Sequence, residues 1–184
     1  MPALAAPDPR FQRSFLVAVE EYAGEAGWER QAGLVIFEAS QHHPGERYVV
    51  EELADPEIFA AYCGRLARMD DPATLPPLMV SSTVLWWVEG DEYLGRISVR
   101  HQLTPFLLEV AGHIGYGVRP TARRLGHATA MLAAVLPVAN AVGIDPVLVT
   151  CDDTNAVSRK VIEAAGGVLE DKRGVKLRYW VPTS

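Results

Sequence analysis

Cysteine is scarce: only Cys63 and Cys151 occur among 184 residues. Their spacing fits no metal site, and no further thiol completes one. They are read as reduced thiols of a cytoplasmic protein. Long apolar runs are also missing. None approaches the ~20 residues of a membrane span, so no membrane partner is expected. The first residues lack the positive start of a signal peptide. A basic excess is missing too. The formal net charge is −6, which argues against a protein built to grip nucleic acid. Neither G-x-x-x-x-G-K-[ST] nor G-x-G-x-x-G occurs, so a nucleotide-binding domain of those kinds has no support. There is no internal repeat and no low-complexity tract.

What is present has the balance of an ordinary globular domain, 49% hydrophobic and 22% charged residues, at a length that supports one core. Residues 1–9 hold three prolines and read as a loose lead-in. Phe11, Phe15, Leu16, Val19 and Tyr22 recur at helical spacing, which predicts an amphipathic helix over 9–25. Residues 34–37 read equally as a short strand or a helical turn. His42 and His43 lie in a turn with no third ligand at suitable spacing, so they are read as polar surface and no metal is expected. Asp55 and Pro56 have the residue types of an N-cap and a first helical position. Ile58, Phe59, Tyr62, Leu66 and Met69 give the helix they open one apolar face.

From residue 82 the period changes. Residues 82–88 and 93–100 are predicted as a hairpin about a turn at 89–92. Residues 103–112 are less regular, and a strand follows over 113–118. A long helix is predicted over 123–142, with Leu125, Thr129, Leu132, Leu136 and Ala139 on its inner face. Pro137 should kink it, because the apolar period continues beyond. A strand over 146–151, a helix over 156–165 with Val157, Val161 and Ala164 inward, and strands over 168–171 and 175–181 complete the chain. This order predicts one mixed α/β (α+β) domain over 1–184.

Two places carry chemistry. Residues Arg123, Arg124, Leu125, Gly126, His127 and Ala128 read R-x-x-G-x-A between a predicted strand and a predicted helix. Gly126 lets a backbone come close to a ligand, and Ala128 keeps the first turn slim. The arginines add positive charge beside exposed N–H groups, so an anion can bind there. Farther on, Asn155 and Ser158 open the next helix after another strand. In this order the two motifs resemble the GNAT superfamily of acyl-CoA-dependent N-acyltransferases, over residues 80–181.

The resemblance implies a mostly antiparallel twisted sheet flanked by helices, with splayed central strands forming a coenzyme cleft. Residues 1–80 would be the variable, substrate-facing part and 81–184 the acyl-CoA-binding core. Acetyl-CoA would be the co-substrate, and an amine of a small molecule or peptide the acceptor. Arg123, Arg124, Leu125, Gly126, His127 and Ala128, with Thr129, would hold the pyrophosphate. Tyr116, Gly117 and Val118 would pair with the pantetheine amides, and Asn155 and Ser158 would flank the thioester. A homodimer is left open.

One departure matters. Many members of the superfamily carry a tyrosine seven residues after the asparagine, placed to protonate the leaving thiolate. Here that residue is Ile162, so a general acid, if the reaction needs one, must be Tyr116, Tyr179 or water. Gly166-Gly167 also replaces a frequent Gly-Phe pair. His113 and Glu109 stand where bases are often found, and His101 ends the neighbouring strand; each has a structural alternative. Alternation puts His113 opposite Ile114 and Tyr116, and leaves open which face looks into the cleft. Acidic residues around the N-terminal helices suit a cationic amine. The competing class, supported by Ile162, is a non-catalytic acyl-CoA-binding or sensing domain.

Overall fold

A computed structural model describes residues 1–38 and 45–184, so His42 and His43 lie outside the described residues. Strand β1, Ala3–Ala5, forms where the prolines predicted a loose lead-in. It pairs antiparallel with residues 86–88, and this pairing overrides the local signal. Helix α1 is Gln12–Tyr22, shorter than 9–25 because a separate turn, Pro9–Phe11, precedes it. Helix α2 is Trp28–Ala32. Strand β2, Val35–Phe37, pairs with β3, Glu46–Arg47, which settles residues 34–37 in favour of a strand. Helix α3 is Val50–Leu53, and α4 is Pro56–Ala67. Asp55 caps α4 as expected, accepting from the N–H groups of Glu57 at 2.7 Å and Ile58 at 3.3 Å.

The hairpin is β4, Ser82–Glu89, and β5, Glu92–Arg100. A π-helical turn, Leu107–Ala111, occupies part of the irregular stretch. Then come β6, Ile114–Val118; α5, His127–Ala141; β7, Val147–Asp152; α6, Ala156–Ala164; β8, Val168–Arg173; and β9, Lys176–Val181. Seven strands make one sheet in the order β1-β4-β5-β6-β7-β9-β8. All neighbours are antiparallel except β6 and β7.

Each face of the sheet carries its own core. On one side Met131, Leu132, Val135 and Ala139 of α5 and Val161 and Ile162 of α6 pack on Ile97, Val99, Ile114 and Val149. On the other, α1 and α4 pack on Val84, Trp86 and Val88 of β4. Phe15 is fully buried there, stacked on Trp86 at 5.3 Å and edge-on to Tyr93 at 5.2 Å. Truncating such a ring costs about 3–5 kcal/mol. The register shifts between Trp87 and Val88, where Leu94 is the extra residue of β5. That bulge puts Tyr93 in the α1 core although Ile97 and Val99 pack under α5.

Two inner faces differ from the sequence reading. Helix α5 starts at His127, so Leu125 lies before it and is 70% exposed. Its buried residues are Met131, Leu132, Val135 and Ala139, because contact with the sheet rather than the mean period sets which stripe is covered. The helix runs through the exposed Pro137 to Ala141. In α6 the buried pair is Val161 and Ile162, whereas Val157 is 71% exposed.

Candidate active site

Strand β6 has two unequal sides. Toward β5 it is paired from Ile114–Val99 to Val118–Gly95. Toward β7 it shares the single parallel pair Ile114–Val149. His113 clamps the closed end. Its N–H donates to Leu148 O at 2.7 Å, and its Nδ1 accepts the Leu148 N–H at 2.8 Å. Gly112 allows this approach: its φ is +62°, and a Cβ there would stand 2.4 Å from Leu148 O. Past Ile114 the strands part, and β6 has no strand partner on that side among the described residues. An extended amide chain can pair with such a free edge.

The clamp defines what His113 does. Burial, helped by the Arg100 cation, pushes its pKa down to about 4. The imidazole is neutral, Nδ1 is already accepting, and the proton sits on Nε2. The hydrogen bond through Nδ1 is a structural contact, one of the two roles the sequence left open. Glu109 is exposed on the π-helical turn and ion-paired with Arg173. His101 Nε2 is hydrogen-bonded to Thr83 Oγ1 at 2.9 Å.

Asn155, Ser158 and Tyr116 come together at the opening. Asn155 caps α6, its Oδ1 accepting the Ser158 N–H at 2.9 Å. Ser158 Oγ then lies 2.8 Å from the Tyr116 hydroxyl, joining α6 to β6. Burial raises the Tyr116 pKa, and the Ser158 hydrogen bond lowers it less, so the phenol stays protonated at neutral pH. Ile162 is fully buried, and a Cβ on Gly167 would lie 2.6 Å from its Cγ2. Tyr179 is buried and donates its hydroxyl proton to Glu163 at 3.2 Å.

The start of α5 is open. Arg124, at φ +64°, and Gly126, at φ +83°, turn the chain into the helix. No side chain caps it, and helix geometry leaves the N–H groups of His127, Ala128 and Thr129 without intrahelical acceptors. A Cβ on Gly126 would meet nothing within 4 Å. An anion fits there, favoured by the N–H groups and the helix dipole. The side chain of Arg123 points to another use. Its Nε donates to Val118 O at 3.0 Å, and its terminal nitrogens donate to both Glu25 oxygens at 2.7 and 2.9 Å. Arg124 makes no ion pair among the described residues, so it is the free cation of the turn. The His127 ring is held by the Trp87 indole N–H, donated to Nδ1 at 3.2 Å.

Sequence reasoning missed Arg119. Its guanidinium is nearly buried, bonded to Glu21, Glu92, Ser14 and the Tyr93 carbonyl, and so ties α1 and the hairpin to the turn after β6. The partners are far apart in sequence, and no local pattern announces them. The opposite face of β6 was missed as well. There Gly115 and Gly117 pair with Ser98 and Arg96, and the Arg100 guanidinium lies over the first and the Tyr22 hydroxyl and Gln31 carbonyl over the second. The alternation Arg96, Ser98, Arg100 was visible in the sequence, but which layer it faced was not.

The chain matches solved acetyltransferases in fold. The microcin C7 self-immunity acetyltransferase MccE, solved with acetyl-CoA and AMP, is 10% identical, with a TM-score of 0.60 over 98% of this chain and 92% of that one. The GNAT domain of S. lividans PAT is 15% identical, with a TM-score of 0.60 over 97% and 89%. Mycobacterium smegmatis RimJ, solved with CoA-disulfide, is 17% identical, with a TM-score of 0.60 over 98% and 81%. No curated protein matches by sequence. The model of the acetyltransferase (GNAT) domain family matches residues 46–168, about two thirds of the chain. With that match over the β6–α5 turn and the whole of α6, and the shared fold around it, the chain belongs to the GNAT acetyltransferase family, for which acetyl-CoA is the co-substrate.

Proposed function

We propose that this protein transfers the acetyl group of acetyl-CoA to a primary amine by direct attack. The observation that carries the reading is the free edge of β6 beside an uncapped helix start, with the Tyr116–Ser158 pair at the opening between β6 and α6. The N–H groups at the start of α5, with Arg124, would hold the pyrophosphate. The edge of Tyr116, Gly117 and Val118 would pair with the pantetheine amides. The neutral amine attacks the thioester carbonyl, the new C–N bond forms, and the C–S bond breaks. The amine gives its proton to water, and the Tyr116 hydroxyl protonates the leaving thiolate. Backbone N–H groups along the splay stabilise the oxyanion.

The test is release of free CoA thiol from acetyl-CoA in the presence of a panel of amines, with acetyl-CoA binding followed by calorimetry. Amine-dependent release supports transfer. The buried Ile162 favours a second reading, a module that binds acetyl-CoA without turnover. Tight binding with no amine-dependent release across the panel would select it.

A further inference from the structure

The face of β6 that carries Gly115 and Gly117 is where two arginine side chains lie without carboxylates. Among the described residues, the other arginines of this half that are not exposed each have one: Arg119 is paired with Glu21 and Arg65 with Glu46. Arg96 and Arg100 are in no ion pair among the described residues, and residues 39–44 contain no acidic side chain. Glu21 of α1 is spent on Arg119 and Thr121, and Glu25 just after the helix on Arg123. They do not make this face a cation site.

The surroundings are those of a binding floor. Arg96, Ser98 and Arg100 alternate on β5, all half-buried, toward the layer of α1 and α2. The Arg100 guanidinium lies over Gly115, where a Cβ would stand 3.5 Å from its Nη2. Its Nη1 donates only to the carbonyls of Ala111 and Gly112, at 3.3 and 3.1 Å. The Arg96 guanidinium rests on Gly33 of the α2 C-cap, where a Cβ would stand 2.5 Å from its Nη1. Beside it the buried Tyr22 hydroxyl has no hydrogen-bond partner among the described residues, and it and the Gln31 carbonyl each lie 3.5 Å from where a Gly117 Cβ would be. Burial and the cations of Arg96 and Arg30 together depress the Arg100 pKa, as expected where positive charge is not balanced. Desolvating a guanidinium without a counter-charge is costly, so the balancing anion is one that arrives with a ligand.

We infer that the acceptor is an amine that also carries an anionic oxygen group, a carboxylate or a phosphate, held by Arg96 and Arg100 beside the face of β6 that carries Gly115 and Gly117. This rests on the transferase reading for its chemistry, but the anion site stands or falls on its own. The experiment uses matched acceptors: β-alanine against β-alaninamide, phosphoethanolamine against ethanolamine, and diaminopropane as a cationic control. Thiol release and equilibrium binding to the CoA-loaded protein are both measured. At least one anionic member should exceed its neutral partner by about tenfold or more in kcat/KM. Arg96→Gln and Arg100→Gln should each erase most of that preference while acetyl-CoA affinity is kept, and Arg96→Lys should restore part of it. If Arg100→Gln fails to fold because the Ala111 and Gly112 carbonyls lose their donor, Arg96→Gln alone decides. The two carboxylate and phosphate arms show which anion is preferred. Anion-selective binding without turnover would remove the transferase reading and leave the anion site standing. Absence of preference in both readouts, or a preference for diaminopropane, overturns the anion site.

Discussion

Tyr116 and Ser158 stand on different elements, and their hydroxyl oxygens are 2.8 Å apart across the opening between β6 and α6. Asn155 sets the far side of this pair by capping the helix that carries Ser158. In the proposed mechanism the phenol would fill the role that Ile162 cannot. Replacing Tyr116 by Phe should lower kcat about 100-fold with acetyl-CoA affinity nearly unchanged. Because burial holds the Tyr116 pKa above its ordinary value of 10.0, the rate should not fall through loss of this proton anywhere near neutrality. Steady-state kinetics between pH 6 and about 10 check both points. Full activity in the Phe variant would remove Tyr116 from the mechanism.

Gly126→Trp should abolish acetyl-CoA binding while circular dichroism stays that of the folded protein. The φ of +83° makes any side chain there strained, by about 1–2 kcal/mol, and the indole would fill the space in front of the α5 N–H groups. Calorimetric affinity equal to that of the parent protein would move the pyrophosphate to another place.

His113 should report on stability rather than on catalysis. Its imidazole is neutral in the folded protein, with a pKa of about 4, and ionises near 6.5 when unfolded. The unfolded chain therefore binds the proton first. Stability is full above pH 6.5, falls as the pH drops, and stops falling below about 4. His113→Leu leaves the Leu148 N–H without its acceptor and should lower the melting temperature at pH 7. The same substitution should flatten the acid limb of the denaturation curve between pH 6.5 and 4. A pH dependence identical to the parent would contradict the clamp.

Glu21 supplies a second acid-sensitive contact. Burial raises its pKa, but the hydrogen bonds from Arg119 and Thr121 outweigh this and hold it below the usual carboxylate value. The stabilisation is present above the unfolded carboxylate pKa of about 4.3 and is lost as the pH falls through the lower folded value. Glu21→Gln strips the nearly buried Arg119 of its main counter-charge. It should cost about 3 kcal/mol at pH 7, read by urea denaturation, and far less at pH 2–3. An equal cost at both pH values would show that the pair contributes packing alone.

The sequence by itself determined the hairpin of β4 and β5, the apolar strand β7, the capped start of α4 and the two strand–helix junctions that carry the motifs. Each is written in local chemistry: alternation of period two, a continuous apolar run, Asp55-Pro56, Gly126, Asn155. Tertiary structure alone decided the rest. Pairing with β4 turned residues 3–5, inside the proline-containing lead-in, into a strand, and packing on the sheet chose which stripes of α5 and α6 are buried. The fate of the charges was decided there too. Arg119 and Arg123 look no different in sequence from Arg96 and Arg100. Only folding brings Glu21 and Glu25 to the first two and leaves the second two beside Gly115 and Gly117, because charge pairing between distant segments depends on where the chain returns, and no local pattern encodes that.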